Sequence, residues 1–283
     1  MPIIHAKTAL TIGLSTTLAA IALAATACSS DDDVEAPPST LGGITIASRE
    51  RAAGQDWYYV SGWFRNGTQD SGCTSHREGN CTISTCAPSA ADAGVATLDS
   101  AGTLTVSGGL LPAPGITLEP RDDKSYFRQG LSKIWEPGQR IAIKSSGAQI
   151  PAFELSVTAP SNLVLEVPAV PHDDAPMVIP RGTPLELRWS AVPDKKSVAF
   201  YSPVDIPPGA PSIGASCEFE PSSTTATLPT SVLGLFPKGE AIFEVVTRNE
   251  ATTLIAGKTV KFHARTYAKG TSGTSVSRNV TLE

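Results

Sequence analysis

Apolar residues recur at every second position of this chain in short runs, and the runs stop at glycine or proline. Leu185, Leu187 and Trp189 alternate with Glu186, Arg188 and Ser190; Phe153, Leu155 and Val157 alternate with Glu154, Ser156 and Thr158; Val260, Phe262 and Ala264 alternate with Lys261, His263 and Arg265. Successive side chains of a strand point to opposite faces, so a period of two builds one apolar face and one wetted face. A buried helix needs a period near 3.6 instead. With 24 glycines and 23 prolines in 283 residues, breakers come too often for long helices. Charged residues make 17% of the chain, against about 25% in ordinary soluble domains. The expectation is an all-β protein, with 41% hydrophobic residues supplying its cores.

Strand candidates in the first half are residues 44–47, 57–64, 82–86, 103–107, 116–118, 140–144 and 153–158, with turns at Gly108-Gly109 and Pro137-Gly138. A single helical turn is expected over 129–135. Ala159-Pro160 ends this half. The second half carries candidates at 185–189, 197–201, 215–219, 224–228, 241–247, 260–265 and 274–282, with a helical turn over 230–236. Within it, Pro184-Leu185-Glu186-Leu187-Arg188-Trp189-Ser190-Ala191-Val192-Pro193 resembles an early strand of fibronectin type III and immunoglobulin-like domains, and the stretch from His263 through Tyr267 to Thr274 resembles their penultimate strand and the loop before the last one. The resemblance spans residues 161–283 and implies a sandwich; such folds host many activities, so it implies no particular one.

The N-terminus constrains location. Lys7 precedes residues 8–27, which carry no charge, and the run ends Leu23-Ala24-Ala25-Thr26-Ala27-Cys28. A positive start, an apolar middle and small residues before a cut are the layout of a secretory signal. With cysteine after the small residues, the segment resembles the lipobox of bacterial lipoproteins. That resemblance implies cleavage before Cys28 and acyl chains on it, with palmitate among them. It implies a membrane partner through the acyl anchor and a location on the extracytoplasmic side of a bacterial membrane. Ser29 after the cysteine mildly favours the outer membrane. Residues 29–41, with Asp31-Asp32-Asp33 and Pro37-Pro38, have almost nothing to bury and read as a tether. The expected organisation is 1–27 signal peptide, 28–41 lipidated tether, 42–160 a β-rich domain with a cysteine cluster, and 161–283 a second β-sandwich-like domain.

Four cysteines remain: Cys73, Cys81, Cys86 and Cys217. In an exported protein an even number reads as two disulfides, with three possible connectivities. Cys73 and Cys81 flank a turn-like stretch and are the first guess for one bridge, leaving Cys86 to join Cys217 across the two halves; Cys217 as a free buried thiol is the alternative. The Cys73-x7-Cys81-x4-Cys86 spacing lacks the close pairs that zinc favours, so no metal or other cofactor is expected. No nucleophile elbow, zinc-protease helix or phosphate loop occurs, no catalytic residue is assigned, and an enzyme is not expected. His76, His172-Asp173-Asp174, His263 and Asp122-Asp123-Lys124 read as surface or loop residues. Net charge is −5, or −6 after removal of Lys7, with no basic cluster, which argues against a nucleic-acid partner.

One run stands out as a surface for a ligand. In Trp57-Tyr58-Tyr59-Val60-Ser61-Gly62-Trp63-Phe64, a strand would set Trp57, Tyr59 and Trp63 on one face and Tyr58, Val60 and Phe64 on the other. Both faces buried, as in a central strand, is one possibility; an aromatic platform for glycan is the other. The expected role is a non-enzymatic structural or interaction function at the cell envelope, contacting protein or glycan. The alternative is a carbohydrate-binding or adhesion module.

Overall fold

The computed structural model describes residues 40–50, 56–65, 73–87, 97–171, 175–202 and 210–283. Cys28, the expected signal peptide (1–27), nearly all of the expected tether (28–41) and His172-Asp173-Asp174 lie outside the described residues. The elements are β1 (Thr40–Glu50), β2 (Asp56–Phe64), β3 (Cys73–Glu78), β4 (Cys81–Cys86), β5 (Leu104–Gly108), β6 (Ile116–Leu118), β7 (Tyr126–Leu131), β8 (Arg140–Ser145), β9 (Glu154–Thr158) and β10 (Val164–Val167). They continue as β11 (Val178–Ile179), β12 (Leu185–Trp189), β13 (Lys195–Tyr201), β14 (Ser212–Phe219), β15 (Thr225–Leu228), α1 (Thr230–Leu233), β16 (Gly239–Ile255), β17 (Lys258–Tyr267), β18 (Lys269–Gly270) and β19 (Ser277–Leu282). The all-β expectation holds. Residues 129–135 are not helical: β7 runs through Leu131, and Ile134 and Trp135 are buried.

One large sheet follows the path β3-β4-β14-β13-β16-β17-β1-β2-β7, with β19 and β11 joined at one end of β16. Two four-stranded sheets, β6-β5-β8-β9 and β15-β12-β10-β18, complete two sandwich cores. The first core holds Ile44, Ile46, Val60, Phe64, Leu104, Val106, Trp135, Ile141, Ile143, Phe262 and Ala264; the second holds Leu165, Leu187, Trp189, Val198, Phe200, Phe243 and Val245. The cores do not follow the chain halves one for one. β17 belongs to the second half yet supplies Val260, Phe262 and Ala264 to the first core, and β4 supplies Cys81 and Ile83 to the second.

The 17-residue β16 links them. Ala241, Phe243 and Val245 enter the second core; Ile255 enters the first, with Ala251 packed against it. All are odd-numbered, so one face of a single strand serves both. Between them the strand turns polar and clasps the segment that crosses from one sandwich to the other. Thr247 Oγ1 donates to Ser161 O at 2.6 Å, and Asn249 Nδ2 donates to Thr158 O at 3.0 Å and to Asp194 Oδ1 at 2.7 Å. Asp194 Oδ2 accepts from Ser161 N at 2.8 Å. Beside it the fully buried Lys196 donates to the carbonyls of Val192 and Pro221. Burial pushes the Lys196 pKa down, and the charge of Asp194 opposes that.

The disulfides are Cys73–Cys86 and Cys81–Cys217, correcting the first guess from the sequence. The reason is the length of the turn. Only Gly79 and Asn80 lie between β3 and β4, and Gly79 takes a φ of 56°, as the first position of a II′ hairpin turn requires. The resulting register sets Glu78 opposite Cys81 and Cys73 opposite Cys86, at the two ends of the ladder. Cys81 then faces Cys217 of β14, so a bridge does join the two halves, through Cys81 and not Cys86.

Candidate functional site

Residues of the large sheet that turn away from the cores form an outer face, and its β2–β1–β17 portion has three distinct columns. β2 contributes Trp57, Tyr59, Ser61 and Trp63. β1, antiparallel to it, contributes Arg49, Ala47, Thr45 and Gly43 directly opposite those four. β17 runs parallel to β1 and sets Lys261 beside Gly43, His263 beside Thr45 and Arg265 beside Ala47. Reading across gives the rows Trp63–Gly43–Lys261, Ser61–Thr45–His263 and Tyr59–Ala47–Arg265. Aromatic and basic columns thus face each other across a floor of small residues. Neighbouring strands lie about 4.8 Å apart, so the two walls stand about 10 Å apart, over a length of about 14 Å from Gly43 to Ala47. The cleft measures about 230 Å³ and is lined by Gly43, Thr45, Ser61, Trp63, Lys261, His263 and Arg265.

Trp57, Tyr59 and Trp63 share this face while Tyr58, Val60 and Phe64 are buried beneath, so β2 is half-buried and not a strand covered on both sides. The three aromatics are not equivalent. Tyr59 shares a 3.2 Å hydroxyl hydrogen bond with Tyr267, and its ring lies 5.5 Å from Trp57 and 6.4 Å from Phe127. Tyr267 is buried with Ala47 and Val246 on this outer side, and burial, more than the nearby Glu244, raises its pKa far above the usual tyrosine value. Trp63 remains 44% exposed although the Arg65 guanidinium sits 5.5 Å from its ring centre.

Among the described residues, His263 is the member of the basic column with a carboxylate partner. His263 Nδ1 lies 3.0 Å from Glu250 Oε2 on β16, off the direction of a linear hydrogen bond. That imidazole is the main cause of a Glu250 pKa held down at about 2, with Lys261 and Arg248 adding to it. A carboxyl group depressed on folding stabilises the fold above its ordinary pKa, and the contribution fades as pH falls from about 4.5 towards 2. Glu250→Gln is therefore expected to cost on the order of 1 kcal/mol at neutral pH after solvent screening, and to flatten acid destabilisation over that window. Thermal melts of both proteins from pH 7 to 2 check this; parallel curves would remove the Glu250–His263 contact from the account. Arg265 has no ion pair among the described residues, and its Nε is buried without a hydrogen-bond partner. Besides the cleft beside Trp63, it lines a small enclosed space with Tyr201, Glu244 and Arg248.

His76 is exposed on the edge strand β3. Asp122-Asp123-Lys124 forms a tight turn in which Asp123 accepts from Ser125 N at 2.9 Å and Ser125 Oγ at 2.6 Å, which lowers its pKa. Among the described residues, no three His, Cys, Asp or Glu side chains gather as a metal would require, and no helix is long and apolar enough to cross a membrane. The sequence shows that Lys261, His263 and Arg265 point outward; it does not show the parallel pairing that carries them to the aromatic strand. Against known proteins, the chain matches no family profile and no curated sequence.

Proposed function

We propose that this chain is a cell-envelope lipoprotein, anchored by acyl chains on Cys28 to the extracytoplasmic side of a bacterial membrane, outer membrane preferred, and acting without catalysis through contacts made by its folded part. The pairing of all four cysteines after Cys28 supports export, since disulfides persist in oxidising compartments. The observation that carries an interaction role is the outer face, where a large sheet leaves Trp63, Phe127 and Tyr201 each more than a third exposed. Exposed Trp63 beside a hydroxyl-bearing floor favours a second, narrower reading: a carbohydrate-binding or adhesion module using Trp57, Tyr59 and Trp63.

The anchor has a direct test. Cys28→Ser is expected to abolish labelling by radioactive palmitate and to shift nearly all of the protein from the membrane pellet to the soluble fraction. A pelleting, unlabelled variant would mean that the N-terminal segment holds the membrane by itself. Protease added to intact cells, with detection from the C-terminal end, then separates a surface-displayed protein from a periplasmic one. Turnover of any ester, peptide or glycoside in a broad panel would overturn the non-enzymatic reading.

A further inference from the structure

We infer that the cleft between the aromatic and basic columns binds a saccharide carrying carboxylate groups, of the uronic-acid class. The inference rests on the glycan-contact reading of the outer face and adds the ligand's charge and its seat. Three observations converge on it. The cleft is lined by Lys261, His263 and Arg265 and by no carboxylate, on a chain whose net charge is −5. Arg265 brings a guanidinium without an ion pair among the described residues. Such a group gains most from a carboxylate that it can hold by two parallel hydrogen bonds.

The third observation is the row Trp63–Gly43–Lys261. At Gly43 a side-chain carbon would meet only the Lys261 carbonyl oxygen at 3.8 Å, an ordinary contact, so nothing in the packing beneath requires glycine there. The missing side chain instead leaves a notch between an indole and an ammonium. A sugar ring has an apolar C–H face to lay against the indole and hydroxyls at its edge for Ser61 and Thr45. A uronate adds a carboxylate that the basic wall receives. A nucleic-acid strand needs aromatic faces free for successive bases. Here Tyr59 is turned towards Trp57, Phe127 and Tyr267, so a single aromatic, Trp63, with Arg65 against its ring, lines the cleft.

The test is calorimetric titration of the full detergent-solubilised chain with hexagalacturonate, cellohexaose and an oligothymidylate. Hexagalacturonate is expected to bind at least about tenfold more tightly than cellohexaose, and to weaken as salt rises from about 0.05 to about 0.5 M. Lys261→Ala and Trp63→Ala should each weaken it about tenfold or more while the protein still melts cooperatively, since both side chains lie on the outer face. Gly43→Leu should abolish it while leaving the fold intact, because the added side chain fills the notch. Equal or tighter binding of cellohexaose, sensitive to Trp63→Ala, would overturn the uronate assignment and leave the glycan reading standing. Binding of oligothymidylate alone, or of none of the three, would overturn both. Hexagalacturonate binding that survives Lys261→Ala and Gly43→Leu would place the site elsewhere and overturn the inference.

Discussion

Replacing Cys81 and Cys217 together by alanine is expected to cost about 5 kcal/mol of stability, against about 3 kcal/mol for the Cys73/Cys86 pair. The chemistry of the two bridges is the same; the loops they close are not. Cys81–Cys217 spans 136 residues and Cys73–Cys86 spans 13. A longer closed loop removes more freedom from the unfolded chain, by a logarithm of its length. Location adds to the difference, because Cys81 and Cys217 are buried in the second core while Cys86 is only partly covered. Denaturation of both double variants and of the fully bridged protein measures the two losses. Equal losses would mean that the long bridge does not constrain the unfolded chain, and that β4 holds to β14 by its ladder and packing alone.

How far the sequence reveals this arrangement depends on the range of the interaction involved. Period-two runs find β2, β5, β8, β9, β12 and β17 nearly to their ends, because alternation records a local fact: one face meets a core and the other meets water. The same parity sorts Trp57, Tyr59 and Trp63 from Tyr58, Val60 and Phe64. β3 is missed because Thr74, Ser75, His76 and Arg77 are all exposed, so an edge strand of this kind has no apolar face to announce it. β7 is missed because Gly130 interrupts it and only Tyr126 is buried along its length. The disulfide pairing depends on a hairpin register set by two turn residues, and the count of cysteines carries no information about it. The cleft is least legible of all. Its two walls come from residues about 200 positions apart, brought together by β1 lying parallel to β17. Such a pairing needs a long crossover, and nothing local in either strand encodes its partner.

Phe262→Ala is expected to destabilise both cores, by about 3–5 kcal/mol, although the side chain lies in only one of them. Phe262 is fully buried in the first core. Two sandwiches joined by a simple linker would confine the loss to that core and leave the second to unfold where it did before. Here β17 hydrogen-bonds along β16 from Ile255 back to Val246, and the same β16 continues into the second core through Val245 and Phe243. The next residue after β17, Ala268, is itself in the second core and donates to Val245 O at 2.8 Å. Loosening β17 therefore bares β16 from Val246 to Ile255 and pulls on Ala268, whose N–H holds Val245, while Gly239–Glu244 stay paired with β19. The crossing segment would not spare it, since Thr247 and Asn249 of β16 are what hold Ser161 and Thr158. Buried tryptophans report each side separately: Trp135 sits in the first core and Trp189 in the second. With Trp57 and Trp63 changed to phenylalanine, and either Trp135 or Trp189 changed likewise, each protein carries one reporter. Coincident denaturation curves, both displaced by Phe262→Ala, are the expected result, as cooperative unfolding of one unit requires. A Trp135 transition that moves alone would show that the shared strand transmits no stability between the cores.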